Sequence, residues 1–320
     1  MQKYILILTK TEYVESFQQY KLIKTEQGFM VNFIRVEDER FHTFDKFKEF
    51  VRAKNPDVSQ ENAFYLLIGG SEFYYNIEPS LGDFQYAQCS DIEGDMSMYC
   101  TVGRIPGRDK REIEAVCNNI LRFNIIPKSL LKLLPILATE KNRKFWDREF
   151  HSLYSLDTTS STVSKAEVIA KIRESNFILH MGHGSRKSLR LRESCHLKVS
   201  DIPQSQSGYL HIWAWACSTC KNSMKGSLGE NCLLQNKAVS FWGARKATYG
   251  DSNRFLYKSF MQELYDLTTD KPIGEIYFKE VMLKALRESN INYRPKIFSN
   301  AMKYTFLGDP TMLVKVTKEI

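Results

Sequence analysis

Two short apolar runs in this chain each end in a residue able to do covalent chemistry. Asn176-Phe177-Ile178-Leu179-His180-Met181 stops at the turn Gly182-His183-Gly184-Ser185, and Tyr209-Leu210-His211-Ile212-Trp213-Ala214-Trp215-Ala216 delivers Cys217. A thiol attacks a carbonyl as its thiolate, and an imidazole within reach can take the thiol proton and later hand it to a leaving amine. The chemistry open to such a pair is acyl transfer from a peptide bond. Gly184 adds a second element: with no Cβ it lets a substrate carbonyl come close. Its N–H, together with that of Cys217, can hold the developing oxyanion.

For this to work, two elements must bring His183 and Cys217 to one crevice. Both runs are too short for helices and are bounded by turn residues, so they read as strands buried on both faces. In open α/β sheets, ligands sit beyond the carboxyl ends of the strands, where both residues would lie. The rest of the chain alternates in the same manner. Lys3 to Thr9, Phe29 to Val36, Ala63 to Ile68, Tyr99 to Arg104, Leu134 to Ala138 and Ala238 to Gly243 read as strands. Helical patterns at 13–26, 44–53, 110–123, 165–174, 226–236, 254–267 and 273–287 separate them, which predicts a parallel, doubly wound sheet. The segment Ile125 to Lys128 is the expected seam between two stacked subdomains, 1–128 and 129–320.

Composition narrows the class. With 320 residues and 43 % hydrophobic content, the chain can build a large core and is not predominantly disordered. The start, Met1 to Lys10, has only a brief apolar run, with no cleavage site and no membrane-length segment, so no membrane role is expected. Seven cysteines with no framework spacing fit a reducing compartment, and the expected location is cytoplasmic. The net charge of +8 is diffuse. The basic clusters 141–144 and 186–192 lack interleaved aromatics, so they read as solvated loops and nucleic acid is not favoured as a partner.

A strand ending His-Gly, followed by a strand ending Ala-Cys, resembles the clan of caspases, legumain, separase and gingipains. Two further segments single out the gingipain-like family within it: Tyr99-Cys100-Thr101-Val102-Gly103-Arg104-Ile105-Pro106, and Phe306-Leu307-Gly308-Asp309-Pro310-Thr311-Met312-Leu313-Val314. The resemblance covers nearly the whole chain. It implies a caspase-like α/β/α sandwich of two doubly wound, mostly parallel subdomains, the second carrying the site. It implies a cysteine endopeptidase with Cys217 as nucleophile, His183 as acid and base, and Gly184 and Cys217 as oxyanion donors. The expected partners are a protein or peptide substrate and an activating or regulatory protein. In the family, the loop after the strand that follows the nucleophile walls the primary pocket with an aromatic, which Tyr249 matches. Asp251, or Glu112 after Pro106, would draw a basic side chain into that pocket. The family also places an acidic residue near the Val-Gly-Arg-Ile-Pro-like segment, for which Glu93 and Asp95 are the candidates here. Gingipain-like domains carry calcium. Asp83, Asp91, Glu93 and Asp95 lack a calcium-loop spacing, so a solvated turn is the reading and no cofactor or metal is assigned.

Competing readings attach to the same residues. His180 and His211 lie within their strands and read as core histidines. Cys217-Ser218-Thr219-Cys220 is a Cys-x-x-Cys that would suit a redox pair in a thioredoxin-like setting, and Cys195-His196 with Cys217 and Cys220 is a weak zinc set. A different class altogether is a catalytically idle scaffold of the same fold, serving interaction or nucleic-acid association.

Overall fold

The strand periodicity decides where each apolar run goes. In β1 (Lys3–Thr9), Ile5 and Ile7 enter one core while Leu6 and Leu8 enter another on the opposite face. The same split recurs in β2 (Phe29–Arg35), β3 (Ala63–Ile68) and β4 (Thr101–Ile105). It continues through β5 (Leu133–Leu137) and β7 (Phe177–Met181), while β6 (Leu156–Asp157) gives only Leu156 to the second core. The computed structural model describes residues 2–36, 44–54, 63–69, 83, 100–125, 132–150, 155–159, 163–204, 209–221, 226–266, 269–288 and 292–314. The expected seam at 125–128 lies almost wholly outside them.

After β7 comes a hairpin, β8 (Ser188–Arg192) with β9 (Cys195–Lys198), then β10 (His211–Trp215) and β11 (Ser240–Ala244). A short β12 (Lys271–Pro272) pairs with β14 (Leu313–Val314), and β13 (Tyr304–Leu307) enters the main sheet. That sheet has ten strands in the order β2-β1-β3-β4-β13-β11-β10-β7-β5-β6. The two halves therefore lie edge to edge in one sheet rather than stacked, and the fold is the expected α/β sandwich with a mostly parallel sheet. β13 joins them: it runs parallel to β4 and antiparallel to β11. The first four strands consequently run opposite to β11, β10, β7 and β5.

The helices cover both faces. One face holds an aromatic slab in which Trp213 stacks on Phe260 with centroids 4.1 Å apart and Trp242 stacks on Tyr304 at 5.2 Å. Such offset ring packing fixes β10 and β11 more firmly than aliphatic burial alone. The basic run 186–192 is not a solvated loop. Its period-2 alternation buries Leu189 and Leu191 in the hairpin and turns Arg190 and Arg192 outward.

Candidate active site

Register sets the first relation. β7 and β10 pair in parallel with Met181 opposite Trp215, so the two residues beyond each pair, Gly182-His183 and Ala216-Cys217, overhang the same sheet edge. Gly184 then packs directly on the other turn. A Cβ built there would come within 2.7 Å of Thr219 Cγ2, 2.8 Å of Ala216 Cβ and 3.1 Å of the Cys217 carbonyl oxygen. Only glycine fits that approach. The His183 carbonyl accepts from Arg190 N and Ser185 N donates to the Ser188 carbonyl, which makes Gly184 and Leu189 the non-bonded pair between them. The Gly184 N–H is left out of that ladder. His183 itself is exposed and Cys217 half-buried.

The turn after Cys217 is strained and braced. Ser218 has φ 57°, the left-handed region, which costs a non-glycine residue about 1–2 kcal/mol. Three backbone bonds hold it: Ser218 N to Lys246 O at 3.1 Å, Cys220 N to Ala244 O at 2.9 Å, and Gly229 N to Thr219 O at 3.0 Å.

Facing Cys217 is the loop after β11. The Thr248 N–H donates to Cys217 Sγ at 3.3 Å, a contact that strengthens when the sulfur carries charge. Thr248 is held in turn by buried amides. Asn253 Nδ2 donates to Thr248 Oγ1 at 3.0 Å, and Asn253 Oδ1 accepts from Asn300 Nδ2 at 2.6 Å and from the Tyr304 hydroxyl at 2.9 Å. Asn300 also clamps the Tyr249 backbone from both sides, accepting from its N–H and donating to its carbonyl. The Tyr249 ring itself is 55 % exposed, and Lys303 Nζ sits 4.4 Å from its centroid. Burial first, and then Lys246, lower the Lys303 ammonium pKa, while the Cys217 sulfur pulls it the other way. Thr248, Asn253, Asn300 and Lys303 are the residues that sequence reading missed. The loop holding the first was singled out, but 288–305 offered no motif.

The remaining candidates fall elsewhere. Glu112 opens the helix Lys110–Ile125 beyond the carboxyl end of β4; because β4 runs opposite to β10 and β11, that end faces away from the Cys217 edge. The structure does not bring Glu112 to the site. Its carboxylate instead holds Arg108, whose hydrogen bonds keep it below the usual range. Asp251 lies in the first turn of the helix Gly250–Asp266, mostly exposed and bonded to Arg254. Asp83 is not on a solvated turn. It is fully buried with two bonds to the Arg104 guanidinium at 2.7 and 2.8 Å, and Arg245 stands 3.9 Å away. Burial alone would raise its pKa, but Arg104 and then Arg245 outweigh that and hold it low. A carboxylate so committed is not a calcium ligand in waiting. Asp91, Glu93 and Asp95 lie outside the described residues.

His180 is fully buried, its Nε2 against the Arg190 carbonyl at 3.0 Å, and burial pushes its pKa down to about 4. His211 meets Ser240 Oγ through Nδ1 at 2.7 Å and is pushed down by burial to about 3. Both are neutral core groups. Burial drives the Cys220 thiol up, which unfits it for thiol exchange. Among the described residues, no three His, Cys, Asp or Glu side chains converge as a metal site.

Over residues 1–315 the sequence matches the profile of Peptidase family C25. The chain belongs to that family. As a C25 member it is a cysteine peptidase, and its fold agrees. The crystal structure of the Arg-specific cysteine proteinase gingipain R superposes with a TM-score of 0.78 at 14 % identity, over 98 % of this chain and 79 % of the other. The complex of Porphyromonas gingivalis RgpB pro- and mature domains gives 0.77 at 14 %, over 98 % and 80 %. The Saccharomyces cerevisiae separase–securin complex gives 0.51 at 10 %, over 85 % of this chain and 17 % of the separase-complex chain. No curated protein sequence matches. The C25 assignment accounts for the chain as a whole.

Proposed function

We propose that this C25 peptidase is an endopeptidase acting through a Cys217/His183 dyad. Cys217 Sγ attacks the scissile carbonyl carbon, the C–N bond breaks as His183 delivers a proton to the leaving amine, and water then hydrolyses the thioester. In this reading the N–H groups of Gly184 and Cys217 receive the oxyanion, and the Thr248 N–H donates to Cys217 Sγ. The observation that carries this reading is the packing of the His183-Gly184 turn on the Cys217 carbonyl. The substrate class is protein or peptide. An expected preference for Arg or Lys before the cut loses its supports, since Glu112 opens at the other sheet edge and Asp251 is bonded to Arg254.

The test is digestion of a mixed peptide library with mass-spectrometric readout, by wild type, Cys217→Ala and His183→Ala. Cutting by wild type alone, with His183→Ala down by about 10²–10⁴-fold, is the expected result. Equal cutting by Cys217→Ala would remove the dyad.

A further inference from the structure

A lysine stands against the loop that faces Cys217. Cys217 Sγ is bonded by the Thr248 N–H, and the Ser218 N–H next to it donates to the Lys246 carbonyl, so the nucleophile and residues 246–248 share one wall. Lys303 enters from β13's start. Its carbonyl accepts from Arg245 N at 2.8 Å, and its ammonium lies against the face of Tyr249, the aromatic expected to wall the primary pocket. Tyr249 follows Thr248, whose N–H donates to Cys217 Sγ at 3.3 Å, so the Lys303 ammonium over the Tyr249 ring stands against the same loop as the sulfur's donor. On the described residues nearby, carboxylates are already used: Asp83 between Arg104 and Arg245, Asp251 on Arg254. On the His183 side, a cavity of about 320 Å³ begins three residues along, walled by Arg186, Lys187 and Lys198.

We propose that Lys303 lines the subsite for the residue before the scissile bond and selects an acidic side chain, aspartate or glutamate. The inference rests on the Cys217/His183 reading and names its substrate. A half-buried ammonium held over an aromatic ring is partly desolvated, which strengthens its bond to a carboxylate relative to one in water. The Tyr249 ring would pack along the methylenes of the bound side chain, as Asn300 fixes its backbone.

The experiment uses peptides that differ only in Asp, Glu, Ala or Arg before the cut. Wild type is expected to favour the acids over Ala by about ten- to a hundredfold in kcat/KM, the range of a charged hydrogen bond. Lys303→Glu is expected to invert the order in favour of Arg, which a merely structural lysine would not do. Preference of wild type for Arg overturns the proposal and leaves Cys217 as nucleophile. If wild type and Cys217→Ala cut nothing, the dyad reading fails separately, and alkylation decides the subsite. The rate ratio of anionic iodoacetate to neutral iodoacetamide at Cys217, read by mass spectrometry, should fall in Lys303→Met. An unchanged ratio overturns the proposal.

Discussion

Gly184 shows how little room the site leaves. The atoms that a Cβ would strike belong to short side chains and to backbone, so neither can swing aside. Gly184→Ala should therefore separate the His183 turn from Cys217. The expected outcome is a folded protein that loses about a hundredfold or more in kcat/KM, since misplacement by an ångström costs that much. Retained activity in a peptide assay, with unchanged circular dichroism, would show that the turns need not touch. Glycines and apolar runs frame His183 and Cys217 in the sequence, and the parallel register of their strands sets both at one sheet edge. Thr248, Asn253, Asn300 and Lys303 were not legible there, because buried amides and one lysine acquire meaning only when loops far apart in sequence meet.

β7 and β10 carry a pH dependence. His180 in β7 and His211 in β10 are buried and neutral, with pKa values pushed to about 4 and about 3, against an ordinary 6.5. Between pH 6.5 and 4 the unfolded chain takes up protons that the folded chain refuses, so stability is intact above 6.5 and falls as pH drops through that window. For His180 the loss is on the order of 3 kcal/mol by pH 4. Urea midpoints measured from pH 7 to pH 4 should decline steadily, and His180→Leu should shallow the slope; a flat profile in wild type would contradict the burial of both rings. Other elements were misread for reasons visible in their composition. The helix Glu140–Glu149 hides Phe145 and Trp146 among charges whose spacing serves ion pairs, Arg143 to Asp147 and Lys144 to Glu140. In β8 the arginines masked an alternating strand.

At the scale of the molecule, the two half-sheets are tied by buried charge. Lys24 on the helix Gln18–Glu26 meets Asp309 at 2.8 Å with both side chains almost fully excluded from water. Asp309 also accepts from Thr311 N at 2.8 Å, and Gly308, at φ 123°, turns the chain so that its N–H reaches the Arg104 carbonyl. Thus the Leu-Gly-Asp-Pro segment, legible in the sequence only as a resemblance, serves as the joint between first and second halves. Lys24→Met alone should cost about 3–5 kcal/mol by leaving Asp309 buried and unpaired. Adding Asp309→Leu should recover much of it, measured by denaturant unfolding; equal losses in single and double variants would show that the pair is not what ties the halves.

β13 has one more consequence, in time rather than space. It sits in the middle of the sheet yet comes from residues 304–307, after every other strand of that sheet has been made. As the chain emerges from the ribosome, β4 and β11 each wait with an open edge, and Lys303 and Tyr304 are not yet there to meet Tyr249 and Asn253. His183 and Cys217 are synthesised early but gain their facing wall late. Order of synthesis thus delays this wall: a nascent chain carries Cys217 for 86 residues (303 − 217) before Lys303 can reach Tyr249.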